Sequence, residues 1–251
     1  MQISVIIPVK NGEATIVRAL QSVVSQHGVI WEAIVMDGLS SDNTIQRIES
    51  LGDERIHYHT GPDHGVYDAM NAGVQRAKGD WIYIMGADDE LASEDVFDAL
   101  LRAVRSQDIM VMGVIENRGC SNRWVAHHHR SHFAWTTLFR NTVHQQGVIY
   151  RKDWLLKHPF HPGYRVLADY DVHLQAYRQF GWKSAALRPW MTTAILIARC
   201  DASGISKQFT WSLYLEELAI RRKQLGLFIW LVSLPVVTMK YVLKRDKRRS
   251  P

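Results

Sequence analysis

Cysteine is scarce in this chain of 251 residues, which contains only Cys120 and Cys200. The two lie far apart, and neither has another Cys or a His at the spacing of a metal site. The sequence therefore predicts neither a disulfide framework nor a structural zinc site, and it favours a reducing cytoplasm. The N-terminal segment MQISVIIPVKNG also lacks a basic region and a long apolar run, so we expect a strand there and not a signal peptide.

Unbalanced charge is absent from most of the chain. The formal net charge is +5, yet residues 240–251 alone hold six basic residues and one acid. The remaining sequence has 24 basic and 24 acidic residues, so its composition gives no support for nucleic-acid binding. The positive charge of residues 240–251 is a separate feature that requires its own explanation.

Long apolar runs are absent too. The strongest candidate, LGLFIWLVSLPVVTM over residues 225–239, has 15 uncharged residues, whereas a membrane-spanning helix needs about 20. Basic residues flank it at 221–223 and in the tail. An apolar segment beside a polybasic cluster is typical of a helix or helical hairpin that lies on an anionic membrane surface. A core helix followed by a solvated tail is the alternative.

Up to residue 116, short apolar runs alternate with helical patterns, which predicts an α/β fold with a mostly parallel, Rossmann-like sheet flanked by helices. Val96, Leu100 and Val104 recur at helical spacing, with Ser93 as a candidate N-cap. The expected strands are continuous apolar runs, as in sheets covered on both faces. They are residues 3–9, 31–37, 55–60, 81–86 and 108–116.

The second part of the chain is less regular. Residues 117–135 match neither periodicity and are interpreted as a loop or lid. Between 136 and 200 the elements are shorter, and one helix is expected to start near Asp169 and to stop at Gly181. The resulting division is one domain over 1–210, with halves 1–116 and 117–210, followed by apolar C-terminal helices and a basic tail over 211–251.

Polar residues collect where the predicted strands end, and ligands of doubly wound sheets bind outside these ends. A nucleotide-sugar presents N–H and hydroxyl donors on its base and ribose, and a charged diphosphate. Asp37 suits the base. If Asp88 and Asp89 continue an extended strand, their side chains point to opposite sides, so one can meet the ribose and the other a divalent cation beside the diphosphate.

Simpler explanations exist for the same residues. Two adjacent aspartates after a strand commonly begin a turn or cap a helix. We expect Asp42 to cap the next helix and not to touch a ligand. The run HHH at 127–129 is expected to reflect loop composition, because three successive side chains of a regular element cannot all point at one ion.

An ordered set of motifs makes the interpretation specific. They are VIIPVKNG, IVMDGLSSDNT and PDHGVYDAMNAGVQRAKGDWIYIMGADDEL, followed by HQQGVIYRKDWL (144–155), ADYDVHLQAYRQFG (168–181) and GIS (204–206). Together they resemble the family 2 glycosyltransferases with the GT-A fold, particularly the bacterial exopolysaccharide and lipopolysaccharide branch, and are similar to glycosyltransferases of the colanic-acid type. The resemblance is strong over about residues 2–100.

The resemblance implies roles for individual residues. Asp169 would be the general base that deprotonates the acceptor hydroxyl for an inverting, single-displacement attack. Asp89 would bind Mn²⁺ or Mg²⁺, with His144 as a further candidate near the metal or donor. The remaining positions would contact the donor: Pro8 and Asn11 at the nucleotide, Asp37 at the base, Asp88 at the ribose, and Asp68 and Asn71 near the diphosphate and sugar.

Two positions depart from the family's pattern. Ala168 stands where a Glu often precedes this Asp, and Gln175 stands where an arginine is frequent, with Arg178 following one turn later. Diphosphate contacts in this region are therefore left open. From the residues alone, Asp169 is also compatible with a helix N-cap, and both roles can hold because a helix N-terminus favours the ionised carboxylate from which a base starts.

These inferences predict a metal-dependent hexosyl- or N-acetylhexosaminyl-transferase. It would move a sugar from a nucleotide-sugar, expected to be a UDP-sugar, to a lipid-linked glycan at the cytoplasmic face of the bacterial inner membrane, as a peripheral or monotopic protein. A sugar-nucleotide nucleotidyltransferase is an alternative, disfavoured because no glycine-rich phosphate loop with a basic residue follows the first strand. A non-catalytic, membrane-attached nucleotide- or glycan-binding module is the other. The joint occurrence of Asp37, the Asp88–Asp89 pair and Asp169 argues against it.

Overall fold

The computed structural model describes residues 1–119, 126–201 and 210–245. Within these ranges, nine strands form one mixed sheet. The strands are β1 (Gln2–Val9), β2 (Ile30–Asp37), β3 (Ile56–Thr60), β4 (Trp81–Ile84), β5 (Glu90–Leu91), β6 (Met110–Arg118), β7 (His128–Arg130), β8 (Val148–Arg151) and β9 (Trp190–Asp201). The helices are α1 (Ile16–Val24), α2 (Thr44–Glu49), α3 (Val66–Arg76), α4 (Val96–Ala103), α5 (Lys152–Lys157), α6 (Ala168–Phe180) and α7 (Trp211–Arg245).

Two apolar clusters cover the two faces of the sheet. Ile3, Val5 and Ile7 of β1 belong to the cluster that includes α1 and α4, and Ile6 belongs to the other, which includes α3, α5 and α6. All four side chains are fully buried. A strand covered on both faces has no reason to alternate apolar with polar residues, which is why β1 is a continuous apolar run.

The β-α-β alternation predicted for the first half is confirmed. The order β3-β2-β1-β4 is parallel throughout, and the helices fall between the strands in the expected β-α-β alternation. Strand bounds differ from the prediction by one or two residues. The predicted N-cap Ser93 instead donates its hydroxyl to Asp95 at 2.5 Å, and Asp95 occupies the cap position of α4.

Beyond β4, the prediction of a mostly parallel sheet is wrong. β8 lies between β4 and β6 and runs antiparallel to both, while β9 pairs in parallel with β6 and antiparallel with β5. The reason is that apolar runs mark buried strands without recording their partners. β8 is only four residues long, VIYR, and arrives from far along the chain.

The described residues of 117–135 include strand structure where a loop or lid was expected. β6 extends to Arg118 and pairs antiparallel with β7, so the His residues at 128 and 129 are in a strand and not a loop. Cys120 and the rest of 120–125 lie outside the described residues, whereas Cys200 is a buried free thiol in β9. His128 and His129 therefore point to opposite sides of the strand, whereas His127 precedes the strand and its ring lies 4.6 Å from that of His128.

The C-terminal extension forms a helical hairpin. α7 is interrupted at Gly226, whose φ of 80° lies in the left-handed region that favours glycine. The two arms fold back on each other, so that the rings of Trp211 and Tyr241 lie 4.8 Å apart and Leu218 packs with Val237. No helix among the described residues is long and apolar enough to span a membrane. The basic residues of 246–251 and the GIS motif lie outside the described ranges.

Candidate active site

The carboxyl ends of the four parallel strands meet along one edge of the sheet, as the sequence predicts. Val9 at the end of β1 pairs with Asp37, and Asp37 pairs with Thr60 at the end of β3. Just beyond β4, the Met85 N–H donates to the Ile6 carbonyl at 3.0 Å. This register brings the loops that follow four strands to one crevice.

Asp37 is buried at the end of β2, with 2% of its surface exposed. Its two carboxylate oxygens both accept the Ser40 N–H at 3.2 Å, which leaves other lone pairs for a ligand. Asp37 lines a cavity of about 150 Å³, here called the small cavity, together with Thr60, Asp63 and Asp68. The structure thus brings together Asp37 and Asp68, two of the residues expected to contact the donor.

Asn11 is hydrogen-bonded to the loop that follows Asp37. Its backbone is left-handed, with φ of 55°, and its Oδ1 accepts the Ser41 N–H at 2.8 Å while its own N–H donates to Ser40 Oγ at 2.7 Å. Pro8 lies half-buried in β1, opposite Met36. Contact of Pro8 and Asn11 with the nucleotide stays a prediction.

The prediction that Asp42 is the cap residue of α2 is wrong by one position. The cap position of α2 belongs to Asn43, whose side chain makes no capping bond. The Asp42 carboxylate instead accepts the N–H of Thr44, the first residue of α2, and the N–H of Glu13, each at 3.1 Å. It therefore ties the loop after β1 to the start of α2.

Asp68 and Asn71 lie on α3 but differ in availability. Asp68, in the first turn, accepts the His64 N–H at 3.1 Å and faces the small cavity. Asn71 donates to the Phe160 carbonyl at 2.7 Å and accepts the Phe160 N–H at 3.0 Å. Both ends of its amide thus bind the backbone of another segment, and its contact with the diphosphate or sugar stays a prediction.

Asp88 and Asp89 follow β4 in a turn, so the expectation that strand geometry separates them is wrong. The chain leaves the strand at Ile84, and the Asp89 N–H closes the turn on the Gly86 carbonyl at 3.2 Å. A Cβ on Gly86 would lie 2.6 Å from Asp89 Oδ2 and 2.8 Å from Asp88 Oδ1. Both carboxylates therefore converge over Gly86, and a side chain at this position would displace them.

The two carboxylates of this turn differ in burial and partners. Asp89 is 4% exposed, and its oxygens accept the N–H groups of Gly86 at 3.3 Å and Asp201 at 3.2 Å. The half-buried Asp88 side chain makes no hydrogen bond or ion pair with any residue that the structure describes. Asp89 is thus anchored, and Asp88 is available to a ligand.

The carboxylates of Asp88 and Asp89 fit a divalent ion that is also coordinated by a substrate. In the described part of the chain, no group of three or more His, Cys, Asp or Glu side chains could hold a metal ion by itself. Mg²⁺ and similar ions need only one or two protein carboxylates when substrate phosphates supply further ligands. The available Asp88 carboxylate beside the anchored Asp89 meets that requirement.

Asp169 lies in the first turn of α6, since the helix begins at Ala168 and Leu167 occupies the cap position. The N-cap interpretation is therefore wrong. Burial raises the pKa of Asp169 to about 7; the Tyr170 N–H and the Asn141 amide partly oppose this, and the Glu216 charge adds to it. Asp169 Oδ2 accepts the Asn141 amide at 2.9 Å, whereas its buried Oδ1 has no hydrogen-bond partner in the described ranges.

A buried chain of hydrogen bonds orients Asn141. Burial lowers the pKa of His173 to about 3, so its ring is neutral. Nε2 of His173 accepts the Tyr150 hydroxyl at 2.7 Å, and Nδ1 donates to Asn141 Oδ1 at 3.2 Å. This assignment turns the Asn141 amide nitrogen toward Asp169, where it can donate.

Other polar residues of α6 face the hairpin and not the sheet edge. Asp171 is fully buried and accepts the Gln224 amide at 2.7 Å and Lys223 at 3.2 Å, both from α7. Arg178 donates to the Gln224 carbonyl at 3.2 Å. Asp171 and Arg178 are therefore both directed toward α7.

Asp169 lines a cavity of about 570 Å³, here called the large cavity. Tyr67 of α3 and Tyr214 of α7 lie on its wall, as does His144, whose backbone N–H donates to Ser131 Oγ at 3.0 Å. The role of His144 as a metal ligand stays a prediction. The hairpin that the sequence set apart as an extension therefore forms part of the wall around the candidate base.

Sequence reasoning missed Asn141, His173 and Glu216. Asn141 stands in an irregular stretch, and His173 occupies a position on α6 where a lone histidine carries no signal. Glu216 comes from a helix that we linked to the membrane alone. Asp63, whose Oδ2 would lie 2.6 Å from a Cβ on Gly38, was also missed, although the glycine after Asp37 was a usable signal.

The structure has an α/β fold of the GT-A type with an acidic edge along its parallel strands. The chain belongs to glycosyl transferase family 2, since the model of that family matches residues 4–168. A PGL/p-HBAD biosynthesis glycosyltransferase of Mycobacterium bovis is 32% identical over 181 residues, which cover 69% of each chain. The UDP-Glc:alpha-D-GlcNAc-diphosphoundecaprenol beta-1,3-glucosyltransferase WfgD of Escherichia coli is 35% identical over 88 residues, 35% of each chain.

Solved structures share the fold. TarS 1–349 of S. aureus in complex with UDP-GlcNAc superposes with a TM-score of 0.65 at 18% identity, covering 88% of this chain and 65% of that one. Glucosyl-3-phosphoglycerate synthase of Mycobacterium tuberculosis, in complex with Mn²⁺, UDP-Glc and phosphoglyceric acid, gives 0.63 at 19% identity, covering 88% and 79%. The chain thus spans less than two thirds of that TarS fragment.

Proposed function

We propose that the protein is an inverting, metal-dependent glycosyltransferase that moves a sugar from a UDP-sugar to a lipid-linked glycan in the synthesis of a bacterial surface polysaccharide. The observation that carries this proposal is Asp169, a buried carboxylate with a pKa of about 7 on the wall of a cavity of about 570 Å³. Near neutral pH, such a group is ionised in a large fraction of molecules and is basic enough to accept a hydroxyl proton in the transition state.

The proton transfer uses one oxygen of Asp169. Asn141 binds Oδ2, so Oδ1, which accepts no hydrogen bond from the described residues, is the oxygen that receives the acceptor's proton. The activated acceptor oxygen attacks the anomeric carbon from the side opposite UDP, which inverts its configuration. The relay through His173 keeps the Asn141 amide from turning its carbonyl toward Asp169.

The donor binds along the acidic edge. Asp37 accepts an N–H of the base from within the small cavity, and Asp68 is directed at the same cavity from α3. A UDP-sugar is supported by the TarS and glucosyl-3-phosphoglycerate synthase complexes, which contain UDP-GlcNAc and UDP-Glc. Both donor contacts are acceptors, as the N–H and hydroxyl groups of a nucleoside require.

Asp88 and Asp89 are the residues that would hold Mn²⁺ or Mg²⁺. When bound, the ion neutralises the negative charge that develops on the departing diphosphate. Asp89 contributes a carboxylate fixed by two backbone N–H groups, and Asp88 contributes one that is free to adjust. The Mn²⁺ in the glucosyl-3-phosphoglycerate synthase complex supports a divalent ion here.

The hairpin attaches the enzyme to the membrane that carries its acceptor. In its second arm, Phe228 is 75% exposed and Leu231 50% exposed, and both face the same side of the helix as Leu227 and Met239. Arg222 and Lys223, both exposed, precede the turn and suit anionic lipid. We therefore propose a peripheral or monotopic enzyme at the cytoplasmic face of the bacterial inner membrane. The diphosphoundecaprenol in the name of WfgD supports a lipid-linked acceptor.

A turnover assay tests the function. The purified full chain is incubated with UDP-Glc, UDP-Gal or UDP-GlcNAc and Mn²⁺, and UDP release is measured with and without EDTA. Slow, metal-dependent release from at least one donor, lost in Asp37→Ala, is the expected result. Absence of release together with pyrophosphate formation from UTP and a sugar phosphate would make the protein a nucleotidyltransferase.

A further inference from the structure

The described lining of the large cavity holds more unpaired arginine than unpaired carboxylate side chains. Glu217, one of its acidic lining residues, is paired with Arg221, and Asp169 is partly protonated near neutral pH. Arg140 and Arg165 also line the cavity, and their guanidinium groups make no hydrogen bond or ion pair with any residue of the described ranges. Both arginines are exposed, and among the described lining residues they are the cations whose side chains have no acidic partner.

Both arginines belong to segments that are fastened to the first arm of the hairpin. Arg221 of α7 donates to the carbonyl of Phe139, the residue before Arg140. The Arg165 backbone N–H donates to Glu216 Oε2 of α7 at 2.9 Å. The arginines thus lie on the hairpin side of the cavity, whereas Tyr67 lies beside Asp68, on the side of the small cavity.

The geometry points to Arg140 and Arg165 as a subsite that binds a phosphate group of the lipid-linked acceptor. The inference rests on the proposed function, and it specifies the acceptor. Arginine is suited to such a ligand because its planar fork binds phosphate oxygens in pairs. Since the arginines and Asp169 line one cavity, the hydroxyl that reacts belongs to a sugar close to the phosphate. The acceptor class is therefore a short glycan on a phosphorylated lipid.

The apolar part of the acceptor has a path out of this subsite. Leu213 and Tyr214 line the large cavity from the first arm of α7, and Leu215 beside them is 49% exposed. A lipid chain that leaves the phosphate subsite along this arm reaches the exposed apolar face of the second arm. The hairpin would then contact the lipid chain through its apolar surface. It would also hold Arg165, which binds the phosphate, through the bond from the Arg165 N–H to Glu216.

Binding measurements with defined probes test the subsite. Geranyl diphosphate, inorganic diphosphate and the neutral geranyl glucoside are titrated into the full-length wild type, Arg140→Ala, Arg165→Ala and the double variant by calorimetry. We expect geranyl diphosphate to bind the wild type and each single variant to bind it at least tenfold more weakly, with the glucoside unaffected. Arg47→Ala, which removes an exposed arginine of α2, is the matched control and should bind like the wild type.

Two further measurements separate this inference from its alternatives. UDP affinity should stay within about twofold in every variant; if it falls in parallel with geranyl diphosphate affinity, the arginines bind the donor diphosphate and the inference is overturned. Binding to phosphatidylglycerol vesicles should also be unchanged in the double variant, because loss of vesicle binding would assign the arginines to membrane headgroups. A wild type that binds UDP but not geranyl diphosphate refutes the subsite and leaves the proposed transferase intact.

The conservative variants protect the test against misfolding. Arg140→Lys and Arg165→Lys keep the charge but lose the paired geometry, so they should bind geranyl diphosphate with intermediate affinity. If both lysine variants bind as tightly as the wild type, charge alone suffices and the proposed paired geometry is wrong.

Discussion

Glu216 Oε1 accepts the backbone N–H of Leu167 at 2.5 Å, which joins the C-terminal hairpin directly to the residue before α6. The same carboxylate accepts the N–H groups of Arg165 and Val166, each at 2.9 Å. Tyr67 holds this loop from the other side by donating to the Val166 carbonyl at 2.5 Å. One carboxylate on α7 thus fixes three successive amides just ahead of Asp169.

Replacing Glu216 by Gln should move the acidic limb of the pH–rate profile to lower pH. The Glu216 charge helps to raise the pKa of Asp169 to about 7, and a neutral side chain removes that contribution. Because the base must be ionised, wild-type activity should rise as the pH increases through about 7, and the variant should reach its plateau earlier. The pH dependence of kcat/KM measures this, with exposed Glu54→Gln as control; an unchanged limb would contradict the coupling.

Replacing Asn141 by Ala should shift the same limb in the opposite direction. The Asn141 amide stabilises the ionised form of Asp169 through its bond to Oδ2, so its loss raises the pKa of Asp169 further. The variant should need a higher pH to reach its plateau. Opposite shifts in the Asn141 and Glu216 variants would identify Asp169 as the titrating base, whereas shifts of the same sign would point to another group.

Replacing Asp169 by Asn should lower kcat by about 10²- to 10⁴-fold, the usual contribution of a general base, and leave UDP affinity nearly unchanged. The substitution should also change how the stability of the protein depends on pH. The folded-state pKa of Asp169 is raised, so the wild type is most stable below the unfolded pKa near 4 and loses stability as the pH rises to about 7. The Asn variant should therefore gain more in Tm at pH 8 than at pH 4.5. Equal loss of UDP binding would refute the base assignment.

Replacing Asp88 or Asp89 by Ala should weaken metal-dependent turnover in different ways. Asp88→Ala should raise the Mn²⁺ concentration for half-maximal activity at least about tenfold, with little change in Tm. Asp89→Ala should abolish the metal response and also lower Tm by about 3 °C or more, because two backbone N–H groups lose their acceptor. Titrations of Mn²⁺ with thermal melts distinguish the two. Wild-type turnover in Asp89→Ala would exclude it as a ligand.

Replacing Phe228 and Leu231 together by Ser should release the protein from anionic vesicles. Burial of one large apolar side chain is worth about 1.5–3 kcal/mol, so the partition coefficient should fall at least about tenfold. Trp182→Ser is the matched control, since Trp182 is 83% exposed and follows α6. Sedimentation with phosphatidylglycerol vesicles at low and high salt measures the effect, and unchanged sedimentation would leave the hairpin without a membrane role.

The sequence predicted the fold of the first half, residues 1–116, because each strand there is a separate apolar run. The polar residues of the candidate site directly follow these strands. The prediction failed where geometry depends on distant segments. The separation expected of Asp88 and Asp89 assumed an extended strand, but Gly86 and the following turn bring both carboxylates to one side. The pKa of Asp169 is raised mainly by burial and is adjusted by Asn141 and Glu216, which lie 28 residues before it and 47 residues after it. No local pattern records such contacts.

The central position of β8 affects how the protein folds during its synthesis. When residue 116 leaves the ribosome, the edge of β4 is still unpaired, because its neighbour β8 spans Val148–Arg151. An unpaired edge of a buried, apolar strand invites association with other chains. About 35 more residues must therefore be synthesised before β8 can pair with β4. At about 5–20 residues per second, this takes roughly two to seven seconds.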